Sequence, residues 1–164
     1  KKQKADLDEQ TKTKFAGINF GVGMALTFKS GRERVDGATL QGSEKIVRVD
    51  KERNRDPQLM LEAHHFFTPF LKKEIGIGPF LGIQPDTANG NIISSYALGL
   101  MVGFKRKGSE TGSWNVGIAY NVNTNVQVLG DGIEDGKVLP AGEENIRYKK
   151  INQPGWLIMV SFGF

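Results

Sequence analysis

Trp114-Asn115-Val116-Gly117-Ile118-Ala119-Tyr120-Asn121-Val122-Asn123-Thr124-Asn125-Val126-Gln127-Val128 contains no charged residue and repeats with a period of two. Trp114, Val116, Ile118, Tyr120, Val122, Val126 and Val128 fall on one face of an extended chain. Asn115, Gly117, Ala119, Asn121, Asn123, Asn125 and Gln127 fall on the other. That period is the signature of a β-strand, whose successive side chains point to opposite faces. The composition of the second face decides the surroundings. In a soluble sandwich or lipocalin-like barrel it would meet bulk water and be rich in Lys, Glu, Arg and Thr. Here it is Asn, Gly and Ala, so the apolar row is read as the outer one, facing lipid.

The same pattern recurs on both sides of this stretch. Ile18, Phe20, Val22, Met24, Leu26 and Phe28 oppose Gly17, Asn19, Gly21, Gly23, Ala25 and Thr27. Ile75, Ile77, Pro79, Leu81 and Ile83 oppose Gly76, Gly78, Phe80 and Gly82. Leu98, Leu100, Val102 and Phe104, with Tyr96, oppose Ser95, Ala97, Gly99, Met101 and Gly103. At the end, Trp156, Ile158, Val160, Phe162 and Phe164 oppose Gly155, Leu157, Met159, Ser161 and Gly163. A less regular segment, Leu59 to Phe67, makes six strands. The expected fold is therefore all-β: an antiparallel transmembrane β-barrel with six clear membrane strands and room for eight. Each is long enough, at about 9–11 residues, to cross a bilayer when tilted. Ile18, Phe20, Val22, Leu98, Leu100, Val102, Val116, Ile118, Ile158 and Val160 are expected to face lipid. Asn19, Glu62, His64, Asn115, Asn121, Asn123, Asn125 and Gln127 are expected to line a lumen.

Charge comes in blocks between these strands. The 164 residues carry 22 Lys and Arg against 18 Asp and Glu, with 21 glycines and no cysteine, which excludes disulfides and thiolate metal sites. No apolar run reaches the roughly 18 residues of a membrane helix. Residues 1–14 read as a polar leader, helical or disordered, and 15–164 as the barrel domain, with long external loops at 29–57 and 130–152. The chain starts with Lys1 rather than Met, which reads as a mature or trimmed form whose export signal would have been upstream. Starting the first strand on the periplasmic side puts both long loops on one side. It leaves the short connections, Thr68 to Lys73 and Lys105 to Gly112, on the other. Short periplasmic turns and long external loops are the bacterial barrel rule.

The ending, Trp156-Leu157-Ile158-Met159-Val160-Ser161-Phe162-Gly163-Phe164, resembles the C-terminal β-signal of bacterial outer-membrane β-barrel proteins. In that family a terminal phenylalanine follows apolar or aromatic residues at alternate positions, here Trp156, Ile158, Val160 and Phe162. The resemblance implies insertion by the barrel assembly machinery and residence in the outer membrane beside lipid and lipopolysaccharide. The family's single-chain barrels begin at eight strands, against six here. Arg34 to Leu40 and Lys45 to Lys51 could form a further hairpin, too charged for lipid and so standing above the membrane. Alternatively, protomers could share one barrel. The glycine rows would fill a small barrel poorly, which suits a plug made by the leader or a wider lumen in a homo-oligomer; the oligomer is the preferred expectation. The leading functional expectation is thus a passive or gated pore for small solutes. A non-conducting structural or adhesive scaffold presenting its loops is the alternative, and a lipid-modifying barrel enzyme the third.

Chemistry-bearing residues are few. Adjacent His64 and His65 point to opposite strand faces and cannot grip one metal together, so no metal or other cofactor is expected. Glu62 and His64 share a face, as a titratable lumen pair or simply a hydrogen-bonded one. Ser94, Ser95, Ser113 and Ser161 lack a context that marks a nucleophile, so no catalytic residue is assigned. Gly130 to Gly136 lacks the alternating acidic ligands of a calcium loop. Lys105-Arg106-Lys107 fits an inner interface where basic side chains snorkel. Basic residues are not gathered with aromatics on one element, so nucleic acid is not an expected partner. The mixed-charge loop at 29–57 could touch lipopolysaccharide phosphates.

Overall fold

A computed structural model describes residues 17–51, 57–67, 74–85, 92–109 and 111–164. The leader and the short turn at 68–73 lie outside the described residues. The chain is all-β, with eight antiparallel strands in the described residues: β1 (Ile18–Lys29), β2 (Val35–Gln41), β3 (Ile46–Lys51), β4 (Gln58–His65), β5 (Ile75–Pro85), β6 (Ile93–Lys105), β7 (Ser113–Leu129) and β8 (Tyr148–Gly163). No helix among them is long and apolar enough to cross a membrane, which says nothing about strands.

Six strands, β1-β4-β5-β6-β7-β8, form a closed ring, and β2-β3 form a separate two-stranded sheet. The ring is completed within one chain. β1 is hydrogen-bonded along one edge to β4 and along the other to β8, with Val22 opposite both Leu61 and Phe162. The expectation that protomers pool strands to complete a barrel is corrected by this double pairing, which leaves β1 no edge for another copy. The hairpin foreseen from the charged loop does form, over Val35–Gln41 and Ile46–Lys51, as a sheet of its own that joins no strand of the ring. Gly42, at φ 72°, supplies the left-handed residue its turn needs, and the Lys45 amide donates to the Gly42 carbonyl at 3.2 Å.

Register fixes how narrow the ring is. Ile75 lies opposite Phe104, Phe104 opposite Trp114, and Trp114 opposite Phe162. Phe162 then leads to Val22, Leu61 and Ile83. One circuit beginning at Ile75 thus returns to its own strand at Ile83, a stagger of eight residues. Strand number and stagger together set a barrel's tilt and width, and about eight strands give an interior just wide enough for side chains. Six leave less room, so several of the large interior residues stand against glycine. Phe66, Phe80, Met60, Met101, Leu157 and Met159 fill the interior, each under 2 % exposed. A Cβ on Gly82 would stand 2.6 Å from Met60 Sδ. One on Gly76 would stand 2.6 Å from Phe66 Cγ, and one on Gly117 2.9 Å from Phe80 Cε1. The glycine rows therefore accommodate a packed core, where the sequence suggested an ill-filled lumen.

The outward face alternates with this core. Ile18, Phe20, Leu98, Leu100, Val116, Ile118, Ile158 and Val160 are exposed, and Val22 and Val102 half-exposed. The alternation fails at one place. A register shift between Asn123 and Val126 coincides with Asn125 at φ 55°, a left-handed conformation that asparagine tolerates better than most residues. Beyond this bulge the faces exchange. Val126 and Val128, expected on the outer row, are buried, whereas Asn125 is exposed and Gln127 half-buried. The β7–β8 hairpin also continues past the ring: Val126 to Leu129 pair with Ile151 to Tyr148, so strand replaces residues 148–152 of the expected external loop.

Candidate functional site

Two regions gather polar chemistry: a cluster inside the ring, and a folded module at the apical end, where β2 and β3 stand.

Inside the ring, β4 places Glu62 and His64 two residues apart on the inward face, while β7 and β8 bring Asn115 opposite Ser161. His64 Nδ1 is 2.7 Å from Glu62 Oε2. Ser161 donates its hydroxyl to Glu62 Oε1 at 2.9 Å, and Asn115 Nδ2 is 3.4 Å from the same oxygen and 3.2 Å from Ser161 Oγ. Both the Glu62 and His64 side chains are fully buried, and the His64 ring lies against Phe66 with centroids 4.3 Å apart. A carboxylate buried in so apolar a space is tolerable only with such partners. Gly21 and Gly163 make the space, since a Cβ on Gly163 would meet His64 Cε1 at 3.0 Å. Glu62, His64 and Ser161 are the residue types of a hydrolytic triad arranged in the wrong order. In a triad the histidine takes the serine proton and the acid orients the histidine. Here the acid holds both, and among the described residues His64 Nε2 has no hydrogen-bond partner. The arrangement ties three strands together and offers no activated nucleophile.

Of the expected lumen residues, Asn19, Glu62, His64, Asn115, Asn121 and Asn123 all lie buried on the inward face. Hydrogen bonds join Glu62 to His64 and Asn115, and Asn19 lies opposite His64 in the β1–β4 register. Asn121 Nδ2 bonds Ser95 Oγ at 3.3 Å. Asn123 belongs to a polar row across four neighbouring strands, Gln84, Ser95, Asn123 and Gln153. Gln127 leaves the interior, donating to the Val35 carbonyl at 3.2 Å, and Asn125 is exposed at the bulge. Among the described residues no cluster of His, Asp or Glu is arranged to hold a metal ion.

At the apical end the two segments that the sequence presents as charged loops fold onto one another. Val47, Ile133 and Leu139 form a small apolar core, with Ala38, Leu40, Val49, Leu129 and Ile146 packed around it. The main chain of β3 is stitched to residues 136–139: Val47 N donates to Lys137 O at 2.9 Å, Gly136 N to Val47 O at 2.8 Å and Leu139 N to Lys45 O at 3.0 Å. Tyr148 Oη accepts the Ala38 amide at 2.9 Å, and Asp135 Oδ1 accepts the Val49 amide at 3.2 Å. Asp131 joins three segments, accepting from Arg32 at 2.8 Å and Lys149 at 3.1 Å. These bonds, Arg32 first, hold its carboxyl below the usual aspartate value. Arg147 likewise lowers Glu143, one turn of chain away. The module is seated on the ring through Gln153 Nε2 to Arg32 O, at 2.6 Å, and Ser30 N to Pro154 O, at 3.1 Å.

Between hairpin and loop lies a cleft of about 400 Å³. Its floor is Val35, Val49, Val128, Leu129 and Ile133, and its rim carries Arg32 with Glu33, Asp131, Glu134 and Asp135. Sequence reading missed this site because it joins residues about a hundred positions apart, as Arg32 and Asp131 are. The one local signal was apolar Val35, Ile46, Val47 and Val49 set among charges. Compared with protein-family models, with curated proteins and with solved structures, the chain matches none.

Proposed function

We propose that the chain is a bacterial outer-membrane β-barrel whose six-stranded ring is a sealed anchor and whose apical module is the part that works. The observation that carries this reading is the belt of outward side chains. Leu98 and Leu100 are each 61 % exposed and Ile118 59 %, with Ile18, Phe20, Leu81, Val116, Ile158 and Val160 beside them. Soluble monomers seldom expose a continuous apolar patch beyond a few hundred Å². A closed ring satisfies its backbone hydrogen bonds without an edge, which a lipid environment requires. Trp114, Phe162, Tyr120 and Trp156 pair on the outer surface, with centroids 4.0 Å and 5.8 Å apart, adding the aromatic groups favoured near membrane interfaces. The outer membrane, rather than another, is favoured by the resemblance of residues 156–164 to the β-signal, and with it the barrel assembly machinery and lipopolysaccharide as partners.

Between pore and scaffold, the packing supports the scaffold. The pore expectation rested on an interior of asparagine and glycine; Gly76 and Gly103 face Phe66 instead, Gly82 faces Met60 and Gly117 faces Phe80. The triad-like residues support no hydrolase, for the reason of order given above. A barrel that neither conducts nor reacts leaves its ordered apical surface to carry the function, through binding or adhesion. The test is purification and planar-bilayer recording. The protein should need surfactant to stay monodisperse, insert into bilayers, and show no unit conductance. Stable monodispersity in surfactant-free buffer overturns the membrane reading; reproducible channel steps overturn the sealed one.

A further inference from the structure

We infer that the ring carries a built-in parting line between β4 and β5, latched from inside by Phe66, at which the closed barrel opens locally. Two prolines, a short run of pairing and one side chain laid across the gap mark it out.

Pairing between β4 and β5 runs only from Leu61 with Ile83 to His64 with Phe80. The seams on either side run further: Ile18 with His65 to Ala25 with Gln58 between β1 and β4, and Ile75 with Phe104 to Gln84 with Ser95 between β5 and β6. The β4–β5 register reappears at the isolated bridge of Phe67 with Ile77, where the Phe67 amide donates to the Ile77 carbonyl at 3.0 Å. Hydrogen-bonded pairs of an antiparallel ladder recur at every second residue. Counted from that bridge, the β5 residues that turn their main chain toward β4 are Ile77, Pro79, Leu81, Ile83 and Pro85. Proline has no amide hydrogen, so the His65 carbonyl opposite Pro79 meets no ladder donor. It lies instead against Gly78, where a Cβ would overlap it. Proline within a sheet is confined to edges and bulges. β5 thus keeps the chemistry of an edge toward β4 and an unbroken ladder toward β6. Phe66 spans the weak side. From the end of β4 its ring crosses β5, lying 2.6 Å from where a Cβ of Gly76 would stand and closer still to one on Gly103 of β6. With that ring swung aside, parting of the short ladder uncovers the inward Glu62 and His64.

Amide hydrogen exchange, followed by NMR on isotopically labelled full-length chain refolded in a non-ionic surfactant, tests this within one strand. The Leu81 and Ile83 amides face β4, whereas those of Phe80 and Gly82 face β6. Leu81 and Ile83 should exchange roughly ten-fold faster than Phe80 and Gly82, the worth of about one ladder bond. Leu61 and Ala63, their partners on β4, should match them. Pro79→Ala, at an exposed position, supplies the amide that His65 lacks and should slow all four about three-fold or more. Phe66→Leu shortens the latch while keeping it apolar. It should speed the same four amides and leave Leu100 and Ile118, paired between β6 and β7, unchanged. Equal exchange for the two sets of β5 amides overturns the proposal. So does faster exchange of Met24 and Val160 across the β1–β8 seam, or an unaltered rate in either variant. Should Pro79→Ala not refold, the unmodified chain and Phe66→Leu decide the matter by themselves. Each comparison is internal to the ring, so it holds or fails whether lipid or water surrounds the molecule.

Discussion

The ring and the apical module solve the problem of order in opposite ways. The ring has a repetitive sequence and a long, regular register. Its core consists of a few large side chains, of which Phe66, Phe80, Met60 and Met101 stand against glycines. The module has short strands, a core of small aliphatics, and a shell of cross-links between distant segments: Ala38 to Tyr148, Val49 to Asp135, Arg32 to Asp131. A ring of six strands cannot vary one interior side chain without meeting another. The module tolerates exchange on its rim, because its charges are exposed and only modestly coupled. The difference assigns constancy to the ring and variability to the apex.

The comparison breaks most visibly at Phe66. Replacing it by Ala removes the ring that faces Gly76 and Gly103 and should cost about 3–5 kcal/mol, read as a lowered unfolding midpoint in surfactant or lipid. The module's amide shifts should stay in place; if they move as much as those of the ring, the two regions form one packing unit. Tyr148→Phe probes the other side. It deletes the hydroxyl that accepts the Ala38 amide and should cost about 0.5–1.5 kcal/mol. Hydrogen exchange should quicken across β2 and β3 while β1 and β4 keep their protection; faster exchange in the ring would erase the distinction.

The smallest effect concerns pH. Asp131 is held below the usual aspartate value by Arg32 and then Lys149. Its bonds therefore stabilise the module fully above the unfolded-chain carboxylate range and are lost as pH falls through the lower folded value. On acidification the Arg32 and Lys149 signals should move only after free aspartates have begun to protonate, and in Asp131→Asn that late step should vanish. An unaltered step in the variant would show that Asp131 is not the titrating tie.

How much of this could be read in the sequence follows from the same contrast. Period-two alternation is local, so Ile18 to Phe28, Ser95 to Phe104 and Trp156 to Phe164 announce both strand and face. Glu62, His64 and Asn115 could be placed inward on that basis. Three things were hidden. Asn125 reverses the faces of β7 through one left-handed residue, which no alternation pattern encodes, so Val126 and Val128 change sides. The width of the ring depends on stagger, a property of all six pairings at once, and without it glycine reads as empty space. The apical cleft arises from contacts between segments that share no pattern, and Ile133, its buried floor, sits in a stretch that reads only as a glycine-rich turn.

The seam between β1 and β8 has a further consequence for how the molecule is made. Gly21 stands opposite Gly163, and the Phe164 amide donates to the Phe20 carbonyl at 2.9 Å. Closure must wait until the last strand has arrived, so the earlier ones spend that interval as an open sheet with two bare edges. Pairing between segments so far apart along the chain is slow to find, and bare edges invite wrong partners in the meantime.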